Sequence, residues 1–269
     1  MRPAVSLALR FLLREWRAGE LHVLLLALAV AVAAVTTVSF FTDRVRQALA
    51  TQANQLLAAD LVLISDHPLG AGHPAKAGEL GLAVAHTVAF PSMVVAGART
   101  QLVEVKGVSS GYPLRGQLAV SAAAFAPELS VSAGPPLGAA WADARLMQQL
   151  GLRVGDPIEV GAVRFPITAV IAKEPDRAGD FFNIAPRLML NLGDLPRTQL
   201  IATGSRVSYR LLLAGEAKSI ADYRRWAEAH LGRGERIEGV SDARPEIRAA
   251  LDRARKYLGL AALVSAVLA

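Results

Sequence analysis

The sequence predicts an α+β extracytoplasmic domain, strand-helix units bracketing a β-rich lobe, inserted between two transmembrane helices with helical stalks. Three observations predict it. "LHVLLLALAVAVAAVTTVSFF", Leu21 to Phe41, is the longest uncharged apolar stretch, with His22 at its very edge, and is bounded by Glu20 and Asp43. A bilayer core of about 30 Å needs roughly 20 such helical residues. A second apolar run, Tyr257 to Ala269, closes the other end. Between them, short strand-like and helix-like patterns alternate, separated by Gly and Pro.

The elements follow in order. Residues 1–20 form a cytoplasmic amphipathic helix: Val5, Leu9, Leu12 and Trp16 share one face, and Arg10, Arg14 and Arg17 the opposite one. Such a helix lies on a membrane surface with its Arg heads toward anionic headgroups. Residues 21–41 form the first transmembrane helix. The stretch is longer than a secretory h-region of about 7–15 residues, and the nearby Ala48–Leu49–Ala50 lies past its end, so a cleaved leader is not expected. Arg2, Arg10, Arg14 and Arg17 place the N-terminus in the cytoplasm. Arg248, Arg253, Arg255 and Lys256 would then flank the second segment on the outside, which the rule tolerates after a long translocated loop.

No Gly or Pro interrupts the chain between Gly19 and Pro68, so the helix continues through residues 42–58 as a stalk, with Val45, Leu49 and Leu56 on its packed side. Residues 59–240 form the extracytoplasmic domain, with the β-rich lobe at about 115–200. "DLVLI" reads as a buried strand and "HPLGAGHPAKAGEL" as a loop entering a short helix. "LAVAHTVAFPSMVV" and "TQLVEVKGV" read as a hairpin joined around Ala96–Arg99, and "WADARLMQQLGL" as a brief helix. "GDPIEVGAVRFPITAVIAKEP" is a hairpin around Gly161, "SRVSYRLLLAG" a strand, "EAKSIADYRRWAEAHL" a helix and "ERIEGV" a closing strand. Residues 241–256 form a second stalk, opening on Ser241 or Asp242 with Pro245 in the first turn. Residues 257–269 begin a second transmembrane helix too short to cross by itself, so the chain is expected to continue beyond Ala269. Ala27, Ala31 and Ala34, and Gly259, Ala262 and Ala266, have the spacing that lets membrane helices approach closely.

Composition and motifs narrow the chemistry. Of 269 residues, 53% are hydrophobic and the net charge is +6, but the basic residues are dispersed with no aromatic-studded stripe, so no nucleic-acid partner is expected. There is no cysteine, hence no disulfide and no thiolate chemistry. No G-x-x-x-x-G-K-[ST] loop and no G-x-S-x-G elbow occurs. Asp66, His67 and His73 can be drawn as a metal site, but zinc sites show tighter paired spacing, and an exposed proline-punctuated loop is the expectation. "EPDRAGDFF" offers Glu174, Asp176 and Asp180 without the ligand pattern of a calcium loop, and is expected to be a polar turn with Arg177. No catalytic residue, no metal and no cofactor is expected.

Several strings resemble FtsX-like, MacB-type ABC transporter permeases, and in particular the YbbP-like group: "LALRFLLREWRAGELHVLLLALAVAVAAVT", "FFTDRV", "LLAADLVL", "VEVKGVSSGYPLRG", "GLRVGDPIEVG", "EPDR" and "GSRVSYRLLLAG". The resemblance implies a bacterial inner-membrane permease subunit, not itself an enzyme, whose energy comes from a separate cytoplasmic ATP-binding-cassette ATPase. It implies that ATP-driven closure passes through membrane helices and stalks to the outer domain. It also implies hydrophobic or lipid-like cargo, membrane lipid as a contact and an extracytoplasmic esterase as a partner. The alternative is a two-span membrane sensor or receptor with an extracytoplasmic ligand-binding domain. A third reading is an anchored extracytoplasmic enzyme of unrecognised chemistry.

Overall fold

Leu61–Ser65, "LVLIS", forms strand β1, and all five residues are buried. Such a run without polar alternation needs cover on both faces. Leu61 and Leu63 point into one core with Leu211, Leu213, Tyr223 and Ala227. Val62 and Ile64 point into another with Tyr112, Leu118, Trp141 and Met189. The structure, a computed structural model, describes residues 57–239 apart from 124–125, 180–184 and 203, together with the single positions 26, 29, 30, 32, 33, 36, 37, 40, 44, 253 and 257.

Helix α1 (Gly72–Glu79) follows β1. Strands β2 (Ala83–Ala96) and β3 (Arg99–Val108) then form the expected hairpin. Ala96 pairs with Arg99 across a two-residue turn in which Gly97 takes φ +58°, the left-handed geometry that tight hairpin turns require. Pro91 sits inside β2 opposite Glu104, but Glu104 N–H donates to Pro186 at 2.8 Å, on the far side of β3. The Pro91–Glu104 pair is therefore not hydrogen-bonded, and the missing proline N–H faces a stretch beyond the last β10 pairing at Ala89.

The chain continues through β4 (Leu118–Ser121), β5 (Leu129–Val131), β6 (Ala140–Asp143) and α2 (Ala144–Leu150). Asp143 caps α2 by accepting from Leu146 N–H at 2.7 Å, and Gly151 at φ +69° ends it. Strands β7 (Pro157–Val160) and β8 (Val163–Lys173) make the second expected hairpin. A 3₁₀ turn (Pro175–Gly179) precedes β9 (Arg187–Asn191). A second 3₁₀ turn (Leu192–Asp194) and the short α3 (Leu195–Thr198) follow. Strand β10 (Ser208–Ala214), helix α4 (Ala217–Glu228) and strand β11 (Glu235–Gly239) complete the domain.

The strands form one sheet in the order β11-β1-β10-β2-β3-β9-β6-β8-β4-β5. Strand β7 pairs with both β8 and the distal part of β2. Strands β2, β3, β9, β6, β8 and β7 thereby form a closed circuit of pairings. Its interior holds Phe90, Val103, Val105, Phe165, Ile167, Leu188 and Leu190, all buried. The open limb β11-β1-β10 lies outside the circuit, with α1 and α4 covering its Leu61–Leu63 face.

The chain divides into two units, Ala50–Ala243 and the two ends Met1–Leu49 with Arg244–Ala269. In the second unit the described positions are helical and exposed. Leu26, Val30, Ala33, Thr37, Phe40 and Arg44 recur at helical spacing, so they share one face. Thr36 and Thr37 donate their hydroxyls to the carbonyls of Val32 and Ala33 at 2.6 and 2.7 Å. Among the described residues, no helix is long and apolar enough to cross a membrane. Most of the predicted span 21–41, the surface-helix residues Val5, Leu9, Arg10, Leu12, Arg14, Trp16 and Arg17, and the stalk residues Val45, Leu49 and Leu56 lie outside the described residues.

Candidate functional site

The chain enters and leaves the domain on neighbouring strands. Leu61, the first residue of β1, stands in register with Gly239, the last of β11. The same Leu61 pairs with Leu213 of β10 on its other side. Just before it, Ala58 adopts φ +58°, a left-handed conformation uncommon for a residue with a Cβ. Its carbonyl accepts two backbone bonds, from Leu114 at 3.0 Å and Arg115 at 2.9 Å. Ala58 and Ala59 are fully buried, so the bend is held by packing as well as by hydrogen bonds.

Asp60 locks this joint. Arg115 donates from Nε and Nη2 to the two Asp60 oxygens at 3.0 and 2.8 Å, the bidentate fork that gives an Arg–carboxylate pair its directionality. Gly215 N–H adds a third bond to Asp60 Oδ2 at 3.0 Å, and Asp60 N–H donates to Leu213 at 2.9 Å. One carboxylate thus ties the entry segment to the loop after β3 and to the end of β10.

A second charged centre is buried deeper. Lys106 of β3 donates from Nζ to Glu174 and Asp176 at 2.7 Å and to Tyr112 at 2.9 Å. Tyr112 donates in turn to Asp176. Arg187 of β9 reaches Glu174 at 3.1 Å and Glu104 at 3.0 Å, and Arg210 of β10 lies 4.0 Å from Asp176. Lys106, Arg187 and Arg210 thus face Glu104, Glu174 and Asp176. The three Lys106 donors are all engaged, so the cluster is a clamp joining β3, β9 and the end of β8 and not a reactive amine. Burial alone would raise the Asp176 carboxyl, but the Lys106 charge and the Lys106 and Tyr112 hydrogen bonds hold it down at about 2. Burial, then the charges of Asp176 and Glu174, pushes the Tyr112 phenol well above its ordinary value. Burial opposes the Arg187 charge, but Glu174 and Glu104 outweigh it and raise the guanidinium.

This corrects the expectation for "EPDRAGDFF". Glu174 and Asp176 do not form a polar turn with Arg177: they face inward, because Lys106 and Arg187 neutralise them there. Arg177 pairs instead with Asp143 at 2.6 Å, whose Oδ2 also accepts Arg187 N–H at 3.0 Å. Asp180 lies outside the described residues.

The histidine loop is also not simply exposed. His67 is half-exposed and bonded to Asp66 at 2.8 Å. His73, in the first turn of α1, is buried edge-on against Trp226 of α4, centroids 5.5 Å apart. The apolar seam between α1 and α4 draws it inward. Among the described residues no group of three or more His, Asp or Glu is placed to hold a metal ion. The joint and the clamp carried no local sequence signal, since their members lie far apart in the chain.

Comparison with known proteins follows the same outline. Residues 23–229 match the model of the MacB-like periplasmic core domain. The chain is 33% identical over 260 residues to the uncharacterized ABC transporter permease YbbP of Escherichia coli (strain K12), covering 97% of this chain and 31% of that relative's length. Among solved structures it is similar to the periplasmic region of MacB from Actinobacillus actinomycetemcomitans, with TM-score 0.46 and 10% identity over 72% of this chain and 95% of that one. It is also similar to the extracellular domain of the noncanonic ABC-type transporter YknZ from Gram-positive bacteria, with TM-score 0.42 and 13% identity over 66% and 100%. The chain belongs to the MacB-like periplasmic core domain family.

Proposed function

We propose that the chain is a section of an ABC transporter permease in the bacterial inner membrane. In this reading its N-terminus is cytoplasmic, its central domain lies outside the cytoplasm, and residues 21–41 and 257 onward belong to membrane helices. It relays ATP-driven movement from a separate cytoplasmic ATP-binding-cassette subunit to the outer domain, which acts on hydrophobic or lipid-like cargo. An extracytoplasmic esterase is a further partner, by analogy with the YbbP-like group.

The observation that carries this reading is the pairing of Leu61 with Gly239. Entry and exit are adjacent, so two helices arriving from a membrane would load one pair of strands. Strand β1 is held by β10, by both cores and by the Asp60 joint, whereas β11 is an edge strand whose one strand partner among the described residues is β1 and which adds Ile237 to a single core. Moving both helices together would tilt the domain as a body, and moving one against the other would load the β1–β11 ladder. The exposed apolar Leu26, Val30, Val32 and Phe40 support a membrane setting, since apolar side chains in that number favour contact with lipid or protein over water. The Thr36 and Thr37 hydroxyls are satisfied within their own helix, as a bilayer demands.

The test is a pull-down of the full-length protein from its native membrane, followed by ATPase assay. The expected result is co-recovery of an ATP-binding-cassette subunit, with ATP hydrolysis present in the pair and absent from the permease alone. Recovery without such a subunit, under conditions that preserve other ABC complexes, would overturn the permease reading in favour of a sensor.

A further inference from the structure

We propose that His67, His73 and Glu235 form a proton-operated latch that fastens the start of edge strand β11 to the end of β1. Ser65 and Glu235 stand in register at the end of the ladder opposite Leu61 and Gly239. The chain turns sharply after Ser65, whose Oγ accepts His67 N–H at 3.1 Å. Asp66 then seats over Gly234, which takes φ +83°, where any Cβ would collide with the carboxylate. The Glu235 side chain is only 6% exposed, and its Oε2 accepts Gly232 N–H at 2.7 Å.

Both imidazoles lie near that carboxylate. His67 Nε2 lies 3.8 Å from Glu235 Oε1, and His73 Nε2 lies 3.4 Å from Oε2. Tautomer logic assigns the protons. The hydrogen bond from His67 is the main cause holding the Asp66 carboxyl below its ordinary value, so its oxygen is an ionised acceptor at neutral pH. His67 Nδ1, 2.8 Å from it, must therefore be the donor. In a neutral ring this leaves Nε2 an acceptor beside the Glu235 carboxylate, with nothing to attract the two. His73 escapes the conflict: its Nδ1 is buried with no partner among the described residues, so a neutral ring keeps its proton on Nε2, the nitrogen near Glu235. Only a proton on His67 turns the remaining contact into attraction, and histidine is the side chain suited to take up and release one.

The surroundings do not supply that charge by another route. Helix α1 contributes His73 and the outward pair Lys76–Glu79. Helix α4 contributes Tyr223, whose phenol is pushed up to about 12 by burial and then by Glu235. It also contributes Trp226 and His230, which stack at 4.5 Å, with His230 Nδ1 donating to the Trp226 carbonyl at 2.7 Å. Its Arg224 and Arg225 pair with Glu228 and Asp222. Arg233, in the turn before β11, acts on Asp66, and Arg236 pairs with Glu238 at 2.9 Å. The latch tightens when His67 takes up a proton and loosens when it gives it up, and it sits on the strand by which the chain leaves the domain. It stands or falls apart from the permease reading, since its test reads strand opening and not transport.

The experiment is hydrogen–deuterium exchange on the full-length protein in lipid nanodiscs at about pH 5.5 and about pH 8, corrected for intrinsic exchange. Peptides over 61–65 and 235–239 are compared with an internal reference over β3 and β9. The expected result is about two- to fivefold higher relative protection at the lower pH, the range of a partly exposed charge pair. That gain should be lost in Glu235→Gln and in His67→Gln; the latter replaces a half-exposed side chain, so it reports even if the former unfolds. Equal protection at both pH values in the wild type, or a pH gain that persists in His67→Gln, would overturn the latch. Stoichiometric zinc uptake at about pH 8 that alone raised protection would also overturn it, by assigning the charge to a metal.

Discussion

Arg115 grips Asp60 through both Nε and Nη2, at 3.0 and 2.8 Å, and so binds the residue before β1 to the loop that follows β3. The pair sits where chain entry and exit run side by side, and it is the most directional contact of that joint. Arg115 is 43% exposed, so solvent screens much of the attraction. The geometry matters more than the energy.

Asp60→Asn should therefore lower stability by only about 1 kcal/mol, while freeing the entry segment to rotate against β10. On the proposed permease reading, the full-length variant should keep ATP hydrolysis by the partner subunit and lose most of the coupled movement of the outer domain. A distance probe between the outer domain and a membrane helix, read through the ATP cycle, checks this. Unchanged coupled movement would remove the joint from the mechanism.

Lys106 should be far less tolerant. Lys106→Met leaves Glu174 and Asp176 buried with too little positive charge, and breaking a buried pair from one side costs about 3–5 kcal/mol. Chemical denaturation of the full-length protein in detergent should show that loss. A drop under about 1 kcal/mol would mean the cluster is hydrated and not the clamp described.

The same cluster sets an acid limit. The folded Asp176 carboxyl is held at about 2 against an ordinary 3.8. A depressed carboxylate contributes stability that is complete above its unfolded value and is lost as pH falls through its folded one. Wild-type stability should hold at about pH 5 and decline between about pH 4 and pH 2. Asp176→Asn should be less stable at about pH 5 and should show a shallower decline over that window. Denaturation midpoints across the range measure both.

Tyr223 offers a change in the opposite direction. Its ring is buried, and its hydroxyl has no partner among the described residues. A buried unsatisfied hydroxyl costs about 1–3 kcal/mol, so Tyr223→Phe should be neutral or stabilising, with a raised Tm in a thermal melt. A lowered Tm would reveal a water or partner on that oxygen.

Topology is checked by protease added to intact spheroplasts. The central domain should be digested and residues 1–20 spared. Protection of the central domain would reverse the orientation.

Local patterning was legible along the chain. A continuous apolar run marked β1, the stretch Ala96–Arg99 and Gly161 marked the two hairpin turns, and helical spacing marked α4, all within a few positions of the observed elements. The shared strings also pointed to the family that the comparisons give. The sequence did not reveal β9, because "RLMLN" is short, buried from Arg187 to Leu190 and set parallel to β3, a pairing no nearby turn announces. It misread Glu174 and Asp176 because charged residues near Pro look like a surface turn until Lys106, 68 and 70 positions away, is brought against them. Only the tertiary structure decided that Leu61 meets Gly239, that β7 closes on β2, and that His73 faces Glu235. Each is a pairing of distant segments, fixed by which faces can be buried together and not by the residues beside it.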